Sequence, residues 1–94
     1  LELEMNYTNH AEMRMKQRGI DCTLVMLVDT FGERTFDKHH GEIVFLNKKA
    51  RQKIRAYLGK SEFAGIEKKL NAYFVEADGK IITVGHRNKN IKMH

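Results

Sequence analysis

Proline is absent from these 94 residues, and cysteine occurs once. With no proline there is no proline-rich linker. No repeat or low-complexity stretch divides the chain either, so a single domain over residues 1–94 is expected. The lone Cys22 excludes an internal disulfide. No apolar run is long enough for a secretory h-region or a membrane span, which leads to the expectation of a cytoplasmic protein without a membrane partner. Acids are missing from two places, between Asn47 and Ser61 and everywhere after Asp78. Residues 1–46 carry eight acids against five Lys or Arg, whereas residues 47–94 carry four against twelve. Such asymmetry speaks of polyanionic partners and steering rather than of fold.

What is present is 41% apolar residues, enough for one modest core. The chain's organising stretch is Thr8 to Ile20. Asn9 is expected to cap a short helix, with Glu12 as its reciprocal capping-box partner and Gly19 closing it in the left-handed conformation. At about 100° per residue His10, Arg14 and Arg18 share one narrow stripe, with Ala11 and Met15 beside it facing a core. Asp21 then caps a segment from Cys22 to Phe31 that is apolar on nearly every side and ends at Gly32, the expected central helix. Its apolar neighbours put Cys22 in the buried class.

Glu33–Lys38 and Glu42–Leu46 read as two strands joined by His39-His40-Gly41. The cluster Asp37, His39, His40 and Glu42 has metal-ligand chemistry, but adjacent side chains diverge in extended backbone, so an exposed turn and no metal are expected. Asn47 caps a basic amphipathic helix, Lys48–Leu58, with Ala50, Ile54, Tyr57 and Leu58 on the inner arc. A short helical turn is expected within Ser61–Leu70. Asn71–Ala77, Asp78-Gly79 and Lys80–Arg87 form the clearest hairpin, because Asp-Gly favours a primed turn. Leu1–Met5 alternates apolar and acidic residues, as a short edge strand or a vector-derived leader ahead of Met5 would. The whole reads as α+β: a small antiparallel sheet of two hairpins packed by two N-terminal helices, plus a basic third helix.

Phosphate chemistry needs an imidazole that titrates near neutrality and guanidinium forks that hold oxyanions. The first helix offers His10, Arg14 and Arg18, and the last strand ends on His86 and Arg87. The same residues also suit ordinary surface ion pairs. The run His-Ala-x-x-Arg-Met-x-x-Arg-Gly-Ile, spanning His10 to Ile20 and followed by a second helix and strands, resembles the opening of a bacterial domain-of-unknown-function family with a RelE-like toxin fold.

That resemblance implies a metal-independent ribonuclease of a toxin–antitoxin pair, in which a ribose 2′-hydroxyl attacks the adjacent phosphate. RNA, at the ribosome or free, and a cognate antitoxin protein are then the expected partners, and no cofactor is expected. His10, His86 and Arg14 are the expected catalytic residues, with the histidines as acid and base. Arg18, Arg34, Arg87, Lys48, Lys49, Lys53 and Lys89 are the expected phosphate contacts, and Tyr73 is a further candidate because RelE-like toxins often rely on a tyrosine. The competing expectations are a noncatalytic module for RNA, DNA or an acidic protein, and a scaffold whose arginines only form ion pairs. Convergence of His10, Arg14 and His86 on one pocket separates the first from the others.

Overall fold

In the computed structural model, residues 5–36 and 41–87 are described. The elements run α1 (Asn9–Arg18), α2 (Cys22–Phe31), β1 (Glu33–Phe36), β2 (Glu42–Phe45), α3 (Lys48–Leu58), α4 (Lys60–Ile66), a 3₁₀ turn (Glu67–Lys69), β3 (Ala72–Ala77) and β4 (Lys80–His86). The fold is α+β. Its strands pair antiparallel in the order β1-β2-β3-β4, so the two hairpins join through β2 and β3 into one sheet.

The local signals explain most element ends. Asp21 and Asn47 cap α2 and α3 by accepting from the amides of Leu24 and Ala50 at 2.9 and 2.7 Å. The β3–β4 turn has positive φ at both Asp78 (52°) and Gly79 (76°), the conformation of a type I′ turn. Three expectations are corrected. The cap of α1 is Thr8, whose hydroxyl accepts from Ala11 at 3.1 Å, so Asn9 is already helical and Glu12 is one residue too late to complete a capping box. Cys22 is exposed, since it opens α2 on the solvent side rather than in its apolar middle. Tyr57, placed by periodicity on the inner arc of α3, is 74% exposed and meets only the edge of Phe31, with ring centroids 6.1 Å apart. The expected turn within 61–70 is α4 plus the 3₁₀ segment, and Gly65 does not interrupt it. Residues 1–4, Asp37, His39 and His40 lie outside the described residues.

Alternation along the strands divides the sheet into two faces. Val44, Phe74 and Val84 are successive cross-strand neighbours, at most 1% exposed, and they pack against Ala11 and Met15 of α1, Leu24, Val25 and Val28 of α2, and Ala50 and Ile54 of α3. Burying each large apolar side chain contributes roughly 1.5–3 kcal/mol. The fold is therefore held at this inner face, and α4, which buries none of its residues, adds little. The other face carries Phe45, Tyr73 and Gly85, also successive cross-strand partners.

Helix α1 lies along β4. At its start Thr8 donates its amide to the carbonyl of Ile81 (3.0 Å), and at its end the carbonyl of Arg18 meets His86 (3.0 Å). This places Arg18 at the margin of the sheet, where its side chain reaches the outer face.

Candidate nucleic-acid interface

Gly85 is the centre of the outer-face cluster. A Cβ on it would lie 2.5 Å from Nη1 of Arg18 and 3.0 Å from both Oη and Cε1 of Tyr73. The guanidinium and the phenol hydroxyl thus meet over one residue that has no side chain, in a buried stretch of backbone. Two positions on, Arg87 lays its guanidinium over the ring of Phe45, 5.1 Å from the centroid, and donates from Nη2 to the carbonyl of Leu46 at 2.9 Å. Leu46 directly precedes the cap of α3, so Arg87 ties the end of β4 to the start of that helix. Arg51, in the first turns of α3, is its charged neighbour. Burial first, and then the charge of Arg51, hold the protonation of Arg87 below the usual arginine range.

These three arginines are short of counter-charge. Among the described residues every ion pair belongs to Arg34, and none reaches Arg18, Arg51 or Arg87. Nε of Arg51 and Nε of Arg87 are buried without an acceptor. The nearest acid in the sheet register is Glu33, the cross-strand partner of Phe45, and its carboxylate accepts from Asn47 at 2.8 Å.

His86 sits on the inner face at the end of β4, fixed by both ring nitrogens. Nδ1 is 2.9 Å from Oδ1 of Asn71, and Nε2 is 3.0 Å from the carbonyl of Arg18. The orientation of the Asn71 amide follows from its nitrogen, which donates to the carbonyl of Arg87 at 2.9 Å, while the Arg87 amide donates to the Asn71 carbonyl at the same distance. Both ring nitrogens are therefore engaged by oxygen atoms of the protein.

The histidines do not converge. His10 is exposed in the first turn of α1, and His86 touches the last residue of the same helix. Eight residues of helix separate them, about 12 Å along the axis at 1.5 Å per residue. Arg14 belongs with His10, its Nε donating to Nε2 at 3.4 Å and its Nη1 to Gln17 at 3.4 Å. One phosphate cannot lie between His10 and His86, and the engaged ring of His86 has no nitrogen left for one.

Arg34 is likewise removed from the anion-holding set. It pairs with Asp29, with Glu76 at 2.8 Å and with Glu42 at 3.7 Å, and its hydrogen bond to Glu76 is the main reason its protonation is held above the usual range. Arg34, Asp29 and Glu76 border a cavity of about 270 Å³. Lys48, Lys49 and Lys53 are exposed on α3. Lys89 lies outside the described residues. No group of three or more His, Cys, Asp or Glu among the described residues is placed to hold a metal ion, and no helix there is long and apolar enough to cross a membrane. Arg51 is the side chain that sequence reasoning missed. Its signal was present as the one arginine inside the acid-free first turns of α3.

Compared with protein-family models, curated proteins and solved structures, the chain matches none.

Proposed function

We propose that this chain binds the RNA backbone on the outer face of its sheet, with Arg18 on one side of Gly85 and Arg87, supported by Arg51, on the other. The observation that carries this reading is the meeting of Arg18 and the Tyr73 hydroxyl over a glycine, beside a second pair of arginines that no described carboxylate neutralises. A scaffold would place its arginines against acids, as Arg34 does. Here, among the described residues, no carboxylate pairs with Arg18, Arg51 or Arg87, a concentration of positive charge that an oxyanion relieves. Arg18 is exposed and Arg51, Tyr73 and Arg87 are partly exposed, so a phosphate can approach them from solvent. Gly85 and Arg87 lie about 6.6 Å apart along the strand, comparable to the step between neighbouring phosphates of an extended strand. The phenol of Tyr73 adds a flat surface on which a base can stack.

The catalytic form of this reading, a metal-independent toxin-type ribonuclease acting in the cytoplasm, is favoured by one further observation. The Tyr73 hydroxyl and Nη1 of Arg18 both border Gly85, where the phenol can give its proton to the departing 5′-oxygen as the P–O5′ bond breaks, while the guanidiniums hold the phosphate and the attacking 2′-hydroxyl passes its own proton to solvent water. Tyr73 thus takes the acid role first expected of one of the histidines. The resemblance of His10–Ile20 to a family with the RelE-like fold points the same way. Under that reading an acidic antitoxin would cover the arginine face, and ribosome-bound RNA is one substrate. Lys48, Lys49 and Lys53 extend the positive surface along α3.

Fluorescence anisotropy with an unstructured RNA, across a salt series, tests the binding. Arg18→Gln and Arg87→Gln should each lower the affinity and flatten the salt slope. Incubation of the same RNA in chelator, with end-group analysis, tests the chemistry. Tyr73→Phe should slow cleavage by at least about tenfold with affinity retained, the lower end of what a proton-transfer group contributes. Binding without any cleavage by the parent would leave a noncatalytic module, and an unaltered salt slope in both arginine variants would move the interface off this face.

A further inference from the structure

We propose that His86, oriented by Asn71, is the positioning residue of the phosphate site: it holds the C-terminal end of α1 against β4 so that Arg18 stands over Gly85. The inference rests on the proposed binding reading and adds to it a residue that touches no ligand. Arg18 ends its helix, and a last-turn residue has a carbonyl with no partner inside the helix. Nε2 of His86 supplies that partner at 3.0 Å, from a strand 68 residues further on. Nδ1 is spoken for by Asn71 at 2.9 Å, and Asn71 is itself clamped to Arg87 by two hydrogen bonds of 2.9 Å, one from its side chain and one to its carbonyl.

The four hydrogen bonds form one chain from α1 through β4 to the segment before β3. Arg18 and Arg87, the two side chains assigned to phosphates, are the residues at its ends. Their side chains are on the outer face while the bonds lie within and behind the sheet, so the same backbone atoms that close the fold set the distance between the two guanidiniums. Among the described residues Arg18 has no ion pair to keep it in place otherwise. With the ring removed, the end of α1 is free to draw away from β4, and the guanidinium leaves Gly85.

A double-mutant cycle distinguishes positioning from general stabilisation. RNA affinity is measured by anisotropy for the parent, Arg18→Gln, His86→Phe and the pair, with circular dichroism and thermal melting on each. His86→Phe keeps an aromatic ring, somewhat larger than imidazole, and loses both hydrogen bonds. It should weaken binding as much as Arg18→Gln does, about tenfold for one charge-assisted phosphate contact, and the pair should bind no worse than Arg18→Gln alone. Multiplying effects in the pair, or parental affinity in folded His86→Phe, would overturn the proposal. Asn71→Ala, which spares the ring and frees it, should reproduce the His86→Phe loss if that variant does not fold. If the parent binds no RNA, the function reading falls while the positioning claim is still judged. NMR should then show contacts between the Arg18 side chain and the Tyr73 ring in the parent and not in Asn71→Ala, and their persistence in that variant would refute it.

Discussion

Replacing Gly85 with alanine puts one methyl group into the centre of the proposed interface. The backbone tolerates it, since Gly85 is not at a positive φ. The obstacle is what occupies the space: Nη1 of Arg18 at 2.5 Å, and Oη and Cε1 of Tyr73 at 3.0 Å. The guanidinium is the end of a flexible chain and can swing out, whereas the phenol ring, partly exposed on the sheet, has to yield by a few tenths of an ångström. The loss of unfolded-state freedom favours alanine by about 0.4–1 kcal/mol, and overpacking against Tyr73 costs about 1–3 kcal/mol. Stability should therefore fall by no more than about 2.6 kcal/mol, and the variant should fold. Binding should respond more clearly, because Arg18 can no longer stand where it does. For single-stranded nucleic acid each neutralised phosphate contributes about −0.7 to the slope of log affinity against log salt. Loss of one contact makes the response to a fourfold rise in salt smaller by a factor of about 2.6. Anisotropy titrations of parent and Gly85→Ala over that range read this directly. A folded Gly85→Ala protein with the parental slope and affinity would refute the placement of a phosphate contact above Gly85.

Two other groups make separate predictions. Tyr7 is held protonated by burial first and then by its hydrogen bond with Cys22, which pushes its pKa from 10.0 up to about 12. The folded state thus keeps a proton that the unfolded chain releases between those values, so the stability linked to Tyr7 is complete below pH 10 and lost as the pH rises through about 12. Tyr7→Phe should unfold with a shallower loss of stability across that interval in urea titrations, and parallel curves for the two proteins would count against it. Arg34→Met leaves Asp29, Glu42 and Glu76 facing one another, and should cost on the order of 1 kcal/mol at neutral pH and low salt. The deficit should shrink below about pH 4 as the carboxylates protonate, and RNA affinity should be unchanged. A fall in affinity as large as that for Arg18→Gln would return Arg34 to the interface.

The parts of this architecture that were legible in the sequence are those written in neighbouring residues. Asp21, Asn47 and Asp78-Gly79 declare a cap or a turn within four positions, and each element they bound is where periodicity puts it. Thr8 and Asn9 are both good capping residues side by side, and local pattern alone does not choose between them. The hydrogen bond of Thr8 to Ile81, made across 73 positions, is part of what does. The same limit governs the site. Helical spacing grouped His10, Arg14 and Arg18 correctly on one stripe, yet the stripe is longer than a phosphate, and only packing reveals that Arg18 alone reaches the sheet. Arg34 looked free because its partner Glu76 lies 42 residues away, on a strand that pairs through β2. Arg51 went unremarked because Arg87, 36 positions further on, comes beside it only in the folded chain.

The double attachment of α1 to β4 has a mechanical meaning. From Thr8 to Arg18 the helix rises about 15 Å, and from Ile81 to His86 the strand covers about 17 Å, so the two are nearly matched rods fastened at both ends. Neither can fray alone without breaking a fastening, and the backbone amides of both should exchange with solvent in one common opening. α4 fully buries no residue and is held to the core only through the partly buried Phe63 and Ile66, so its amides should exchange sooner. A pull on the Arg18 end of α1 is therefore carried straight into the edge strand of the sheet, and under the proposed RNA-binding reading the grip would fail only when the strap does.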